Sequence, residues 1–208
     1  MAKTEHYYTK FEEDKFYHIY NRTVDRKPMF RNEGNFEFFL KRFDKYLSPV
    51  IDTYAYCLLG NHFHLLVRIQ NLTAYKNLSN LNPDTTAHDI VFKNFRKFFQ
   101  SYAMAFNKQH DRIGTLFQTP FKRALVDSES YFTWLVFYIH ANPQLHGMMD
   151  DFRDWKWSSY HRLLIDNPSK LKKLEVLNWF GGKENFINYH TEKHQFRKDD
   201  NLLFEDDN

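Results

Sequence analysis

The chain has 208 residues, a formal net charge of +3, one cysteine and an aromatic content of 19%. That length suits one domain, or one domain with an appendage, and is enough to bury a proper core. A lone cysteine excludes an intramolecular disulfide and the thiolate sets of structural zinc modules. No apolar run reaches the length of a membrane span, and the amino-terminal stretch lacks the apolar segment of a secretion signal, so a cytoplasmic protein without membrane contact is expected.

Lys15 to Asn21 alternates as a first strand, and a polar, basic connection follows from Arg22 to Arg31. Between Asn35 and Leu47 the residues Phe36, Phe39, Leu40, Phe43 and Leu47 fall at helical spacing, and Pro49 ends that helix. Ile51 to Leu59 and His62 to Ile69 are strand-like runs joined by the turn signal Gly60-Asn61, so they predict a hairpin. In an extended strand His62 and His64 point one way, while Phe63, Leu65, Val67 and Ile69 point the other. Two neutral imidazoles on one face can share a divalent cation if oxygen ligands or water complete the shell. A hydrated Mg²⁺ or Mn²⁺ acting on a phosphate suits such a pair better than zinc. The bland alternative is two partly exposed sheet histidines that hold nothing. Cys57 reads as a small buried strand residue.

The stretch 70–86 predicts a short helix or loop, and a long helix is expected from Ala87 to about Gln109, broken by Asp111-Arg-Ile-Gly114. Phe121 to Val126 reads as a further strand. From Phe92 to Val126 there are seven Lys and Arg against one acid, Asp111, a net of +6. Basic residues interleaved with aromatics suit unpaired bases stacked over a phosphate-binding surface, although aromatics are equally core. Asp127 or Ser128 can cap a helix that runs to Asn142, where Pro143 ends or bends it. Phe132, Leu135, Val136 and Ile139 form its apolar stripe. Tyr138 and Asn142 lie one turn apart on an edge beside it, expected to face the sheet together without full burial; the alternative is a boundary tyrosine whose hydroxyl meets water. His140 and His146 are expected to face solvent, with contact to phosphate as the alternative for either. Beyond Gly147 comes the aromatic, basic stretch Trp155 to His161, and then Leu163 to Phe196 looks helical, with breaks at Asn167-Pro168 and Gly181-Gly182. The last ten residues carry five acids and no Lys or Arg, which predicts a disordered tail.

Taken together these pieces resemble a known family. Gly60-Asn61-His62-Phe63-His64-Leu65-Leu66-Val67 is similar to the His-hydrophobic-His (HUH) motif of the single-tyrosine transposases of the IS200/IS605-like type, and the rest of the chain resembles their REP-associated tyrosine transposase branch, named for repetitive extragenic palindromes. The resemblance runs from Tyr17-His-Ile-Tyr-Asn-Arg22 through the histidine hairpin, Ser101-Tyr-Ala-Met-Ala-Phe-Asn107, Gly114-Thr-Leu-Phe-Gln118 with Phe121-Lys122, and Tyr138-Ile-His-Ala-Asn142-Pro143, to Trp157-Ser-Ser-Tyr160. Two positions depart from it: Gly60 where the family commonly has Pro, and Phe117 where it commonly has Trp.

The resemblance implies an α+β, ferredoxin-like core with an antiparallel β-sheet flanked by helices and the tyrosine on a helix, plus a mostly helical C-terminal extension. Residues 1–150 are then the catalytic domain, 151–198 the extension and 199–208 the acidic tail. It further implies His62 and His64 as ligands of a divalent metal ion, Mg²⁺ or Mn²⁺, Asn142 as a further ligand, and Tyr138 as the nucleophile. The activity implied is cleavage and rejoining of single-stranded DNA near hairpins through a 5′-phosphotyrosine link, by a monomer or a homodimer. Such a link retains bond energy, and the chain has no Gly-rich phosphate loop followed by Lys-Ser/Thr. The cations expected to meet single-stranded or hairpin DNA are Arg22, Arg96, Lys97, Arg112, Lys122 and Arg123. Two other readings stay open: a non-catalytic hairpin-binding protein derived from a transposase, and an RNA-binding ferredoxin-like module.

Overall fold

Four strands, β1 (Phe16–Arg22), β2 (Ile51–Leu58), β3 (His62–Ile69) and β4 (Lys122–Val126), form one antiparallel sheet in the order β2-β3-β1-β4. This computed structural model describes residues 5–194, so the acidic tail expected to be disordered lies outside the described residues. A short helix α1 (Glu5–Tyr8) precedes β1, α2 (Glu33–Tyr46) links β1 to β2, and α3 (Thr73–Leu78) and α4 (Ala87–Gln109) link β3 to β4. The β-α-β-β-α-β order with β1 and β3 at the centre is ferredoxin-like, as the motifs imply.

Local chemistry sets the helix starts. Asn32 accepts from Asn35 N at 3.1 Å to cap α2, and Thr86 accepts from Asp89 N at 3.1 Å to cap α4. The hairpin turn is held from outside, because Gly60 O accepts from Met29 N at 2.8 Å and from Phe30 N at 3.1 Å. The connection after β1 thus buries Met29 and Phe30 against the turn that carries the histidines.

The two faces of the sheet are covered differently. One face presents Tyr17, Ile19, Phe63, Leu65 and Val67 to α2 and α4, where Phe39, Phe95, Phe98 and Tyr102 interlock in a buried aromatic core. On the other lies helix α5 (Glu129–Leu145), capped by Ser128, which accepts from Tyr131 N at 3.3 Å. Pro143 neither ends nor visibly breaks this helix. It stands near the C-terminus, where its missing N–H costs one hydrogen bond, and the turn closes through His146 N to Asn142 O at 2.9 Å.

After α5 come a single 3₁₀ turn at Phe152–Asp154 and three helices, α6 (Tyr160–Leu164), α7 (Lys173–Trp179) and α8 (Lys183–His194). Residues 165–172 are not helical as the sequence predicts. Two short stretches lie along β2, the edge strand: 157–159, with Leu58 N donating to Trp157 O at 3.0 Å and Ser159 N to Tyr56 O at 2.9 Å, and 171–172, with Lys172 N donating to Thr53 O at 2.9 Å. This pairing covers an edge that would otherwise be open to other chains. Phe152, Tyr160, Leu163, Val176 and Phe186 share one apolar cluster with α5. Among the described residues no helix is long and apolar enough to cross a membrane.

Candidate active site

Strand alternation and register decide which side chains meet on the α5 face. His18, Tyr20 and Arg22 share one side of β1, and β1 pairs Tyr20 with His64 and Arg22 with His62. His18 is therefore diagonal to His64, and its Nε2 lies 3.0 Å from His64 Nδ1. The Tyr20 ring stacks near both, at centroid distances of 4.7 Å to His18 and 5.6 Å to His64. Lys122, opposite Tyr20 on β4, places Nζ 5.3 Å from the Tyr20 ring centroid.

The electrostatics favour neutral imidazole at the centre. His64 is fully buried, and that burial, reinforced by His18, His62, His146 and Lys122, holds its pKa well below the ordinary imidazole value. Near pH 7 it is neutral, the form that binds a cation. His62 is half-buried, and its Nδ1 lies 2.6 Å from Asn61 Oδ1. Asn61 Nδ2 donates to Arg26 O at 2.7 Å, which turns the amide oxygen toward the ring. His62 Nδ1 is thus the donor and Nε2 carries the lone pair, the orientation a ligating histidine needs.

Helix α5 lays a stripe of four-residue spacing over these rings. Trp134 stacks on Tyr138 with centroids 5.1 Å apart, and Tyr138 meets His64 and His18 edge-on at 5.8 and 6.3 Å. At the helix end His146 meets His62 at 4.8 Å. Asn142 occupies the position between Tyr138 and His146 on the same stripe. Its Nδ2 donates to Tyr138 O at 2.9 Å, while its buried Oδ1 has no hydrogen bond among the described residues. A buried amide oxygen of that kind calls for a partner.

Tyr138 is 6% exposed and Asn142 0%, in contrast to the partly exposed edge the sequence predicts. The cause is visible in α5, which is apolar around its circumference: Leu135, Val136 and Ile139 are buried, and Phe137 meets Phe152 and His190 on the far side. A helix of that composition is buried all round. His140 is likewise corrected from solvent-facing to fully buried. Its Nδ1 lies 3.0 Å from His190 Nε2, its Nε2 lies 2.8 Å from Ser159 Oγ, and His190 Nδ1 lies 2.8 Å from Phe186 O. Since a carbonyl only accepts, His190 Nδ1 donates to it, His140 Nδ1 donates to His190, and Ser159 donates to His140. Ser159 Oγ in turn accepts from Tyr56 N at 2.9 Å, so the chain of bonds ties α8 through α5 to β2.

The cations predicted to meet DNA are dispersed. Arg22 and Lys122 stand on the histidine face. Arg112 lies in the loop after α4, 3.4 Å from Asp25. Arg96 and Lys97 are exposed on α4, in the layer across the sheet from the histidines. Arg123 is a correction. It is buried, stacked among Phe11, Phe92 and Phe121, and it donates to the carbonyls of Thr9 and Phe121. Its register opposite Ile19 turns it into the aromatic core.

Two residues at the site have no role in the sequence reading, His18 and Tyr20. Alternation in β1 already places them on one face with Arg22. Only the β1–β3 register shows that this face is the histidine face. Among the described residues no group of three or more His, Cys, Asp or Glu side chains is placed to hold a metal ion. A cation here would rest on His62 Nε2, His64 Nε2 and the Asn142 amide oxygen, with water or phosphate completing a shell of the kind Mg²⁺ and Mn²⁺ accept. The donor set fits.

Comparison with known proteins points to the family that the motifs resemble. The chain is similar to the "Putative REP-associated tyrosine transposase" of Haemophilus influenzae, 29% identical over 115 residues that span 53% of this chain and 60% of that relative. Among solved structures it superposes on a REP-associated tyrosine transposase bound to a REP hairpin, with a TM-score of 0.57 and 15% identity over 79% of this chain and 86% of the other. At that identity the second likeness is one of fold. No protein-family model matches the chain.

Proposed function

We propose that the protein is a metal-dependent single-stranded DNA transposase and endonuclease that cleaves and rejoins DNA near REP-like hairpins through a covalent 5′-phosphotyrosine at Tyr138. The observation that carries this reading is that Tyr138 of α5 meets His64 of β3, beside His62, with Asn142 one helical turn on from Tyr138. In this reading a Mg²⁺ or Mn²⁺ ion held by His62, His64 and Asn142 would draw charge from the scissile phosphate and support in-line attack. Tyr138 Oη forms the bond to phosphorus and gives its proton to solvent. The bond from phosphorus to the 3′-oxygen breaks, and that oxygen takes up a proton to become a hydroxyl. The phosphoester energy stays in the tyrosyl link, so rejoining requires no nucleotide.

Arg22 and Lys122 flank the cluster and neutralise backbone phosphates on either side of the scissile one. Arg112, with the exposed Arg26 and Lys27, extends this cationic surface past the histidine turn. In this reading residues 1–150 act as the catalytic unit and 151–198 as the extension, whose Phe152, Tyr160 and Phe186 pack against α5. The reaction belongs in the cytoplasm.

The test is an SDS-resistant adduct between protein and a hairpin-bearing single strand, formed with Mg²⁺ or Mn²⁺. Its loss in Tyr138→Phe supports the reading, and undiminished adduct in that variant refutes it. One observation favours a second reading, a binding-only relative: Tyr138 as a whole is 6% exposed, a burial typical of a structural tyrosine. That reading predicts salt-sensitive hairpin binding and no adduct with any divalent metal.

A further inference from the structure

The proposed metal site leaves one question that the hairpin alone does not answer: which nitrogen of His64 carries its proton. His62 is set by Asn61, but His64 Nδ1 faces another imidazole, His18 Nε2, at 3.0 Å. Only one proton can sit between those two nitrogens. If His18 donates, His64 carries its proton on Nε2 and cannot bind a cation there. If His64 donates, Nε2 is a lone pair.

We propose that His18 is the positioning residue of the site: its Nε2 accepts the proton of His64 Nδ1 and so holds His64 as the tautomer whose Nε2 can bind a metal. This rests on the reading of His62 and His64 as ligands. Three observations support it. His18 is 4% exposed, and it is clamped between its strand neighbour Tyr20 and His64 by ring stacking at 4.7 and 5.2 Å, so the acceptor cannot swing away. The register across β4 pairs His18 with Ala124, a small residue that leaves the ring its room. His64 is wholly buried, where a fixed acceptor replaces the water that would otherwise bias the tautomer. The same arrangement serves His62, with an amide oxygen of Asn61 in place of the imidazole. Each candidate ligand then has a dedicated acceptor behind it.

The variants separate acceptor from packing. His18→Phe keeps a flat ring against Tyr20 and His64 but removes the acceptor. His18→Gln restores an acceptor oxygen without the ring. Two measurements on the folded proteins read the role directly. Long-range ¹H–¹⁵N correlation in the metal-free protein reports which His64 nitrogen is protonated, and Mn²⁺ titration followed by electron paramagnetic resonance reports affinity. The expected result is the Nδ1–H tautomer in wild type, the Nε2–H tautomer in His18→Phe with a loss of Mn²⁺ affinity of about 10- to 100-fold, and recovery to within a few-fold in His18→Gln. An unchanged tautomer in His18→Phe overturns the inference, as does unchanged Mn²⁺ affinity. The two readings fail separately. Wild type that binds no Mn²⁺ defeats the metal-dependent reading, while the metal-free tautomer measurement still decides whether His18 orients His64.

Discussion

The two faces of the sheet are built from the same strands by opposite rules. On the α2 and α4 face the contacts are aromatic rings and aliphatic chains, such as Phe39 against Phe63, Phe98 and Tyr102 at 4.8 to 5.2 Å. On the α5 face the corresponding positions are His18, Tyr20, His62 and His64, each aimed at another ring or at an amide. Residues one apart in sequence thus belong to different tasks. Phe63 anchors the core, and His62 and His64 on either side of it face the opposite layer, where the proposed function places the chemistry. The α5 side is not polar throughout, because Tyr54, Leu66 and Phe132 form a second apolar cluster next to the imidazoles.

The sharpest way to break that contrast is Tyr138→Phe, which removes one oxygen from a ring that stays packed against Trp134. Covalent adduct formation should fall by on the order of 10³-fold or more with little change in melting temperature, measured by denaturing gel and by circular dichroism. A large drop in stability would mean that the phenol is structural and that the faces are not divided as described. The opposite substitution, Phe39→Ala, should cost about 3–5 kcal/mol in denaturant unfolding through the cavity it leaves. Activity should survive in the fraction that remains folded.

Acid provides a graded test of the polar side. Burial depresses the pKa of His190 from the usual 6.5 to about 4, and burial together with His190 also lowers that of His140. A depressed imidazole pKa means that the unfolded chain binds more protons. The stability it supports is complete above about pH 6.5 and is lost as pH falls toward 4, at up to about 1.4 kcal/mol per pH unit for one such group. Thermal melts between pH 7 and pH 4 should show that decline, and His190→Gln should flatten part of it. A pH-independent melting temperature would place these histidines outside the stability of the fold. The smallest expected effect lies at the edge of the site: Lys122→Ala should weaken oligonucleotide binding and reduce the salt slope by about one. Arg96→Ala with Lys97→Ala, on the aromatic side, should leave both unchanged if DNA keeps to the histidine face.

Much of this was legible in the chain itself. Period-two alternation placed β1 and the histidine hairpin, helical spacing placed α2 and α5, and the Asp111-Arg-Ile-Gly114 break marked the end of α4. The site was half legible. His62, His64, Tyr138 and Asn142 are marked by spacing and resemblance, whereas His18 and Tyr20 look like any strand residues until β1 is laid against β3. The Lys and Arg count from Phe92 to Val126 did not show that its members enter different layers, because charge along a sequence does not say which layer each cation enters. Arg123 points into the aromatic core beside Lys122, which does not.

What the sequence determined by itself was therefore local: the direction of each side chain along its own strand or helix, which backbone geometry alone dictates. What only the tertiary structure decided was non-local. Register between strands chose the partner of His64, and the packing of the C-terminal helices on α5 chose which of its polar residues left water. Both are settled by contacts among residues far apart in the chain, His18 with His64 and His140 with His190, which no local pattern encodes.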